Sequence, residues 1–188
     1  MARQTWKAGN MIYPLPAVMV SCADKEGNDN IITVAWTGTV CTNPAMAYIS
    51  VRPERHSYHM KEETGEFDIN LTNEKLVEAC DYCGVVSGRD VDKFQKMNLT
   101  PFSVEGVNAL AISESPVNIA CQVVSKQELG SHIMFLAKVV GVTVDESYMD
   151  ETGNFHIYEP GLVMYSHGEY FRLGEKLGKF GYSIQKKK

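Results

Sequence analysis

Four residues that suit a phosphate group follow one another closely: Arg52, Arg55, His56 and Ser57. Guanidinium groups offer planar, charge-assisted donors to phosphate oxygens. A serine at the start of a helix places its hydroxyl beside free backbone N–H groups, which also favour an anion. The alternative is a surface salt-bridge cluster around Glu54, in which Ser57 acts only as a helix N-cap. The residue types therefore predict an anion site at this point of the chain.

A second polar group, Thr37, Gly38 and Thr39, lies one predicted strand before these arginines. Hydroxyl groups, and the backbone N–H groups around a glycine, allow a ligand to approach closely. Glycine and threonine are equally typical of a corner between two strands where nothing binds. Because the arginines follow at the end of the next strand, the two groups together favour a ligand with a planar polar part and a phosphate.

A further pair of cations, Arg89 and Lys93, follows a possible helix start. Ser87 and Asp90 have the spacing of a capping box, which predicts a helix from 87 to about 97. In such a helix the two cations share one face, and the N–H groups at Ser87 and Gly88 remain free. The alternative is an ordinary amphipathic helix whose apolar residues are buried and whose charges are solvated.

The cysteines and histidines show no spacing typical of metal ligands. Cys80 and Cys83 lack a second pair to complete a zinc site, and they lie at the end of a predicted helix. A redox pair normally lies at a helix start, so we expect both thiols to pack as small apolar groups. His132 begins a predicted strand and is more typical of a barrel rim or core than of a catalytic residue.

Composition narrows the class of protein further. A formal net charge of -5 and a pI near 5.5 argue against nucleic-acid binding. The apolar run 11–20 is too short to span a membrane, contains Pro14 and Pro16, and lacks the arrangement of a cleavable signal. An odd number of cysteines without a regular framework fits reduced thiols. We therefore expect no membrane association and a cytoplasmic location.

The elements that must position these residues are mostly strands. Strand-like runs with β-branched and apolar residues lie at 17–23, 30–36, 46–51, 66–71, 118–129, 133–144, 162–165 and 170–173. Helical signals lie at 57–63, closed by Gly65, and at 73–82, capped by Asn73 and stopped by Gly84. Long strands with a few short helices predict a mainly β fold, a barrel with short peripheral helices, in a single domain over 1–188.

The chain resembles the flavin reductase-like, FMN-binding split-barrel proteins, and particularly the flavoredoxin-type branch. The matching segments occur in family order over nearly the whole chain. They are Asn30-Ile-Ile-Thr-Val-Ala-Trp-Thr-Gly38, Ile49-Ser-Val-Arg-Pro-Glu-Arg-His-Ser57, Thr64-Gly-Glu-Phe-Asp-Ile-Asn-Leu71, Cys83-Gly-Val-Val-Ser-Gly-Arg-Asp-Val-Asp-Lys-Phe94, Gly130-Ser-His132 and Leu177-Gly-Lys-Phe-Gly-Tyr-Ser183. Together these segments are far more specific than any single glycine motif.

The resemblance implies a homodimer of split β-barrels that binds one FMN per subunit at the dimer interface. It assigns Trp36, Thr37, Gly38 and Thr39 to the isoalloxazine ring and Arg52, Arg55, His56 and Ser57 to the phosphate. It further implies that Asn70 helps to bind the flavin, and that Ser87, Gly88, Arg89 and Lys93 close the site. The family often has tyrosine at the position of His56, and its general pattern does not require Cys80.

Three functions fit this resemblance. The first is an FMN-dependent oxidoreductase that takes electrons from NAD(P)H or a protein donor, with His132 as a candidate for the wall of a nicotinamide pocket. The second is a non-enzymatic electron carrier, and the third is a module that binds flavin, haem or another planar anion without redox work. A cofactor-based reaction explains why the sequence contains no evident acid–base dyad, since the flavin itself carries the redox chemistry.

Overall fold

The computed structural model describes residues 1–184 of the 188-residue chain. Its twelve strands are β1 Leu15–Pro16, β2 Val18–Ala23, β3 Asp29–Val34, β4 Thr37–Cys41, β5 Met46–Val51, β6 Glu66–Leu71, β7 Pro101–Phe102, β8 Ala111–Ile112, β9 Val117–Glu128, β10 Ile133–Val144, β11 Val163–Ser166 and β12 Glu169–Arg172. The α-helices are α1 His56–Thr64, α2 Val77–Val85 and α3 Lys93–Lys96. The mainly β fold with short helices predicted from the sequence is confirmed.

Seven strands form one antiparallel sheet in the order β3-β2-β6-β9-β10-β5-β4. The two strands at its edges, β3 and β4, are consecutive in the chain and are joined only through Ala35 and Trp36. One buried cluster collects Val20, Ile49 and Phe67 with residues from six of the seven strands. Because strands far apart in the sheet share this cluster, the sheet curls into a barrel around it.

Alternation along each strand separates this barrel interior from a second core outside it. In β6, Phe67 and Ile69 join the interior cluster, while Asp68 and Asn70 face the other side of the sheet. On the outer side, Met19 and Ile31 pack with residues from α2 and α3 in a second buried cluster. The helices therefore cover the outer face of β2 and β3 and place their ends near the start of β3.

Two of the predicted helices form largely as expected. α1 ends where Gly65 adopts a left-handed conformation, with a φ of 71°, so the stop at this glycine is confirmed. The Asn73 side chain accepts hydrogen bonds from the N–H groups of Lys75 and Leu76 and begins a 3-10 turn that continues into α2. Gly84 does not end that helix, which continues to Val85.

The helix predicted from 87 to about 97 is wrong in its first half. The Ser87 Oγ accepts the Arg89 N–H at 3.2 Å, and the Ser87 carbonyl accepts the Asp90 N–H at 3.2 Å, so these residues form a turn. The helix begins only at Lys93, because the Asp92 carboxylate caps it by accepting the Gln95 N–H at 3.1 Å. A cap five residues later thus replaces the predicted one, and Arg89 does not share a helix face with Lys93.

The late strands form a separate three-stranded sheet in which β11 lies between β1 and β12. The β11–β12 hairpin is held against α2 by a hydrogen bond of 3.1 Å from the Tyr170 hydroxyl to the Asp81 carboxylate. Arg172 in the same hairpin pairs with Glu74. No helix among residues 1–184 is both long and apolar enough to cross a membrane.

Candidate functional site

Two neighbouring cavities open where β3 and β5 end, and they share the residues Ile32, Arg52 and Arg55. We call the first, of about 390 Å³, the aromatic pocket; its distinctive lining residues are Trp36, His132, Tyr165 and Tyr170. We call the second, of about 280 Å³, the cationic pocket; besides the shared Arg52 and Arg55, its lining includes Ser57, Gly88, Arg89 and Lys93. Because the two arginines lie between the cavities, one elongated ligand is able to contact both.

The aromatic pocket has flat side chains at its mouth. Trp36, in the link between β3 and β4, is 37% exposed, and its ring lies nearly parallel to that of His132, with centroids 6.1 Å apart and an angle of 11°. Tyr165 and Tyr170 form the opposite wall and pack edge to face at 5.9 Å. Burial, assisted by the charge of nearby Arg52, lowers the pKa of His132 and favours its neutral form at pH 7.

The start of α1 forms one wall of the cationic pocket. Arg55 is its N-cap residue in an extended conformation, and among residues 1–184 no side chain caps the N–H groups of the first turn. The buried Ser57 hydroxyl accepts a hydrogen bond of 2.6 Å from the amide nitrogen of Asn30. An uncapped helix start beside a hydroxyl is a site that favours an anion. His56 also lines this pocket, and burial, followed by the charges of Arg89 and Lys93, lowers its pKa.

The turn that replaces the predicted helix forms the opposite wall. A Cβ atom at Gly88 would overlap the side chain of Asn30, so only glycine allows the turn to pack this closely. The close packing brings Ser87, Gly88 and Arg89 to the pocket despite the absence of the helix. The residues predicted to close the site are therefore assembled by a turn.

Lys93 provides a charge at the back of the same pocket. It is only 4% exposed, and its Nζ donates to the carbonyls of Ile31 at 2.6 Å and Cys83 at 2.9 Å. These two bonds hold the side chain in place, and the third N–H of the ammonium group has no hydrogen-bond partner among residues 1–184. Burial lowers the pKa of Lys93, although the thiols of Cys83 and Cys22 partly oppose this effect.

The arginines differ in their partners. Arg52 pairs with Glu54 at 3.2 Å, and both side chains are largely exposed. Arg55 forms no ion pair with a carboxylate in residues 1–184. The salt-bridge interpretation thus describes Arg52 only, and Glu54 is the one carboxylate among the described residues that line the two pockets. The pockets as a pair carry an excess of positive charge in a chain that is acidic overall.

Four predicted site residues do not line either pocket. Thr37 is buried and its hydroxyl donates to the Tyr48 carbonyl at 2.6 Å, while Gly38 packs against the Tyr48 ring. Thr39 is exposed on β4. The reason is that 37–41 is an edge strand paired with β5, and not the corner between two strands that was the alternative for these residues. Asn70 is the fourth such residue.

Asn70 is fully buried and its side chain is fully hydrogen-bonded. Its amide nitrogen donates to the Met19 carbonyl at 3.0 Å and the Ser21 hydroxyl at 3.1 Å. Its oxygen accepts from the Ile112 N–H at 2.7 Å and the Asn118 amide at 2.8 Å. The Asn70 side chain, which lies on β6, therefore links β2, β8 and β9 through hydrogen bonds.

Sequence reasoning missed several pocket residues. Asn30, Ile32 and Cys83 line the cationic pocket, and Tyr165 and Tyr170 line the aromatic pocket. The tyrosines follow Arg52 and Arg55 by more than a hundred residues, so no local pattern connects them to these arginines. Asn30 was available as a signal, since a polar residue at the start of a buried strand is unusual. Burial raises the pKa of Cys80 and raises that of Cys83 to about 11, as expected for packed thiols.

Comparisons with known proteins agree with this geometry. Residues 10–174 match the model of the flavin reductase like domain. The solved structure of flavoredoxin from Desulfovibrio vulgaris (Miyazaki F) has a TM-score of 0.90 and 30% identity, and the match covers 98% of this chain and 100% of that one. Flavoredoxin from Methanosarcina acetivorans has a TM-score of 0.86 and 27% identity, with 97% and 100% covered.

A curated relative from Archaeoglobus fulgidus, an uncharacterized protein, is 26% identical over 140 residues, which are 74% of this chain and 77% of that protein. The family match covers most of the chain, and the two flavoredoxin structures share its fold almost from end to end. The predicted split barrel with short peripheral helices is thereby confirmed. The chain belongs to the flavin reductase-like domain family, and its fold is related to that of the flavoredoxins.

Proposed function

We propose that this protein binds FMN and serves as an FMN-dependent oxidoreductase, with electrons supplied by NAD(P)H or by a protein donor. The observation that carries the proposal is the adjacency of the two pockets, one flanked by flat rings and one rich in cations, with Arg52 and Arg55 between them. A planar ring system with a phosphate tail fits both pockets at once. The 30% identity to a flavoredoxin over nearly the whole chain supports the same ligand.

The residues of the cationic pocket fit the phosphate group. A phosphate monoester carries roughly two negative charges near neutral pH. Arg55 has no carboxylate partner in the described residues, and the start of α1 offers uncapped N–H groups. Arg89 and the remaining donor of Lys93 complete a set of charge-assisted donors. These groups would bind and orient the phosphate without a metal ion.

The residues of the aromatic pocket fit the ring system. FMN, when bound, supplies hydride and single-electron transfer, for which the protein provides binding and orientation. Trp36 and His132 offer parallel flat surfaces, and Tyr165 and Tyr170 shield the opposite side from water. The Nδ1 atom of His132 lies 2.9 Å from the Ser131 hydroxyl, so the Nε2 atom of the neutral ring is the one that would meet a flavin ring or an incoming nicotinamide.

We further propose that the protein acts as a homodimer. Several apolar side chains on β4, β9 and β10 are exposed in the single chain, and an interface would bury them. They are Val40, Val124, Val140 and Val142. Sedimentation of the purified protein tests this proposal: a species of twice the chain mass supports it, and a stable monomer at micromolar concentration contradicts it.

An absorbance spectrum followed by anaerobic titration tests the main proposal. We expect the protein reconstituted with FMN to be yellow and to bleach on addition of NADH or NADPH. Tight flavin binding with bleaching by a chemical reductant but no nicotinamide turnover would identify the second candidate, an electron carrier, which the likeness to the flavoredoxins favours. Binding without any reversible redox couple would indicate a planar-anion binder, and no affinity for FMN would contradict the proposal.

A further inference from the structure

A lysine on α1 is buried without a counter-ion. Lys61 is 0% exposed, and the one polar contact of its Nζ among the described residues is the Cys22 thiol at 3.9 Å. The Cys22 thiol in turn contacts the Met60 sulfur at 3.9 Å. A buried cation is costly unless a carboxylate or other anion neutralises it, and here the polar partner is a thiol. We therefore expect the buried charge of Lys61 to have a function.

Lys61 is connected to the lining of the cationic pocket by a short series of contacts. It is one helical turn after Ser57 on the same face of α1. Ser57 accepts the Asn30 amide at 2.6 Å, and the Cys22 thiol contacts the Asn30 carbonyl at 3.8 Å. Ser57 and Asn30 line the pocket, and Cys22 contacts both Asn30 and Lys61. The Lys61 amine is thus linked to the pocket lining through the Cys22 thiol and Asn30.

No nearby carboxylate of the described residues neutralises this charge. Asp24, at the end of β2, is engaged by Asn28 and by the N–H of Glu26. Glu54, on the far side of the pocket, pairs with Arg52. The other charged or titratable groups around the pocket are cations, thiols and imidazoles. They are His56, His59, Arg55, Arg89, Lys93, Cys22 and Cys83.

We propose that Lys61 is a positioning residue for the phosphate subsite: its buried charge is completed by the phosphate of the bound ligand and makes the pocket prefer phosphorylated flavin to riboflavin. This inference rests on the proposed function. Lys61 acts through Cys22, Asn30 and Ser57 and does not touch the ligand. Because the charge is shielded from solvent, salt screens it less than it screens the exposed arginines.

The properties of the amine agree with such a role. Burial lowers the pKa of Lys61, so without an anion its charged form is disfavoured. A phosphate in the pocket favours the ammonium form again, because opposite charges at short range stabilise each other in a poorly solvated region. Ligands without a phosphate gain nothing from this charge. The affinity ratio of FMN to riboflavin is therefore the quantity that Lys61 controls.

The test is the Lys61→Met variant, with FMN and riboflavin affinities measured by fluorescence quenching at low and high salt. We expect the FMN to riboflavin affinity ratio to fall by roughly tenfold or more, with riboflavin affinity unchanged and the loss persisting at high salt. Because methionine matches the neighbouring sulfur groups and removes a buried charge, the melting temperature of the ligand-free variant should rise. Lys126→Met, which removes an exposed lysine paired with Glu62, is the matched control and should leave the ratio unchanged.

A second variant tests the same idea without removing the lysine. Cys22→Asp places a carboxylate beside Lys61 and supplies an internal counter-ion, so the preference for FMN should again fall. An unchanged affinity ratio in both variants would overturn the inference, because a purely structural lysine changes only the melting temperature. If the wild-type protein binds neither flavin, the proposed function fails together with this inference. If the wild type binds FMN and only the variants behave otherwise than expected, the inference alone fails.

Discussion

The cationic pocket and the network around Asn70 both bury polar side chains against the β2–β3 and β2–β6 pairs, yet their hydrogen bonding differs. Asn70 donates and accepts to its full capacity within the protein. In the pocket, Arg55 has no carboxylate partner in the described residues, Lys93 uses two of three donors, and the start of α1 has no side-chain cap. A completed network stabilises a fold, whereas an incomplete cationic one is prepared for a ligand.

Removing both pocket arginines should have the largest effect: it should weaken FMN binding and hardly change stability. We expect Arg52→Ala/Arg55→Ala to weaken FMN binding by about 3–6 kcal/mol, from about 1.5–3 kcal/mol for each charged hydrogen bond. The free energy of unfolding should hardly change, because both side chains are exposed. Calorimetric titration measures the affinity. The control Arg3→Ala/Lys7→Ala makes the same change in net charge on the exposed N-terminal segment and should bind FMN normally.

Replacing Asn70 should lower stability and leave FMN binding unchanged. Asn70→Ala leaves the Ile112 N–H and the Asn118 amide without their buried acceptor, so we expect a loss of about 3–5 kcal/mol in the free energy of unfolding. FMN affinity per folded molecule should be unchanged. Urea unfolding and titration of the folded fraction check the two quantities. A large loss of FMN affinity with normal stability would instead support the role in flavin binding that the family resemblance implied for Asn70.

Asp68 lies on the same face of β6 as Asn70, and its ionisation state decides whether this face carries a charge. It is fully buried, and neither carboxylate oxygen has a hydrogen-bond partner among the described residues. Burial raises the pKa of Asp68 to about 7, so the folded protein holds a proton that the unfolded chain releases near pH 4. Stability from this group is therefore present below about pH 4 and is lost as the pH rises towards 7, by about 2–4 kcal/mol.

Asp68→Asn should remove that part of the pH dependence and increase stability at neutral pH. Chemical unfolding of both proteins at several pH values between 4 and 8 measures the difference. Parallel curves for the two proteins would show that Asp68 has a counter-charge or access to solvent, and the contrast between the two regions would then weaken.

The sequence revealed the chemistry of the pocket better than its geometry. Arg52, Arg55 and Ser57 are close in the chain, and a strand that ends at a helix start carries them to one place whatever the rest of the fold. Alternation along β6 already places Asn70 opposite to Phe67 and Ile69, but alternation alone does not say which face meets the ligand. That choice depends on which elements cover each face.

Two other features depended on competition between local signals. The segment 37–41 has the small residues of a corner, but pairing with β5 makes it an edge strand. The turn at 87–90 has capping-box spacing, but Asp92 caps the helix instead. Tyr165 and Tyr170 reach the aromatic pocket only because the β11–β12 hairpin is anchored to α2, a contact between distant parts of the chain. Such tertiary contacts have no local sequence signature.

The smallest effect we predict comes from the turn that brings Arg89 to the pocket. A methyl group at Gly88 would overlap the Asn30 side chain, which donates to Ser57, so Gly88→Ala forces the turn or this hydrogen bond to shift. We expect a roughly tenfold loss of FMN affinity, about 1–2 kcal/mol, close to the value of one strained or lost hydrogen bond. Stability should change little, because the turn lies at the surface and is able to move outward.

Gly174→Ala is the matched control, since a Cβ atom there meets nothing within 4 Å. Flavin titration of both variants measures the effect, and riboflavin separates its cause. If the turn positions phosphate donors, Gly88→Ala weakens FMN binding and leaves riboflavin binding intact. Equal losses for the two flavins would mean that the substitution disturbs the end of β3 and the shared wall of both pockets, because Asn30 and Ile32 lie on that strand.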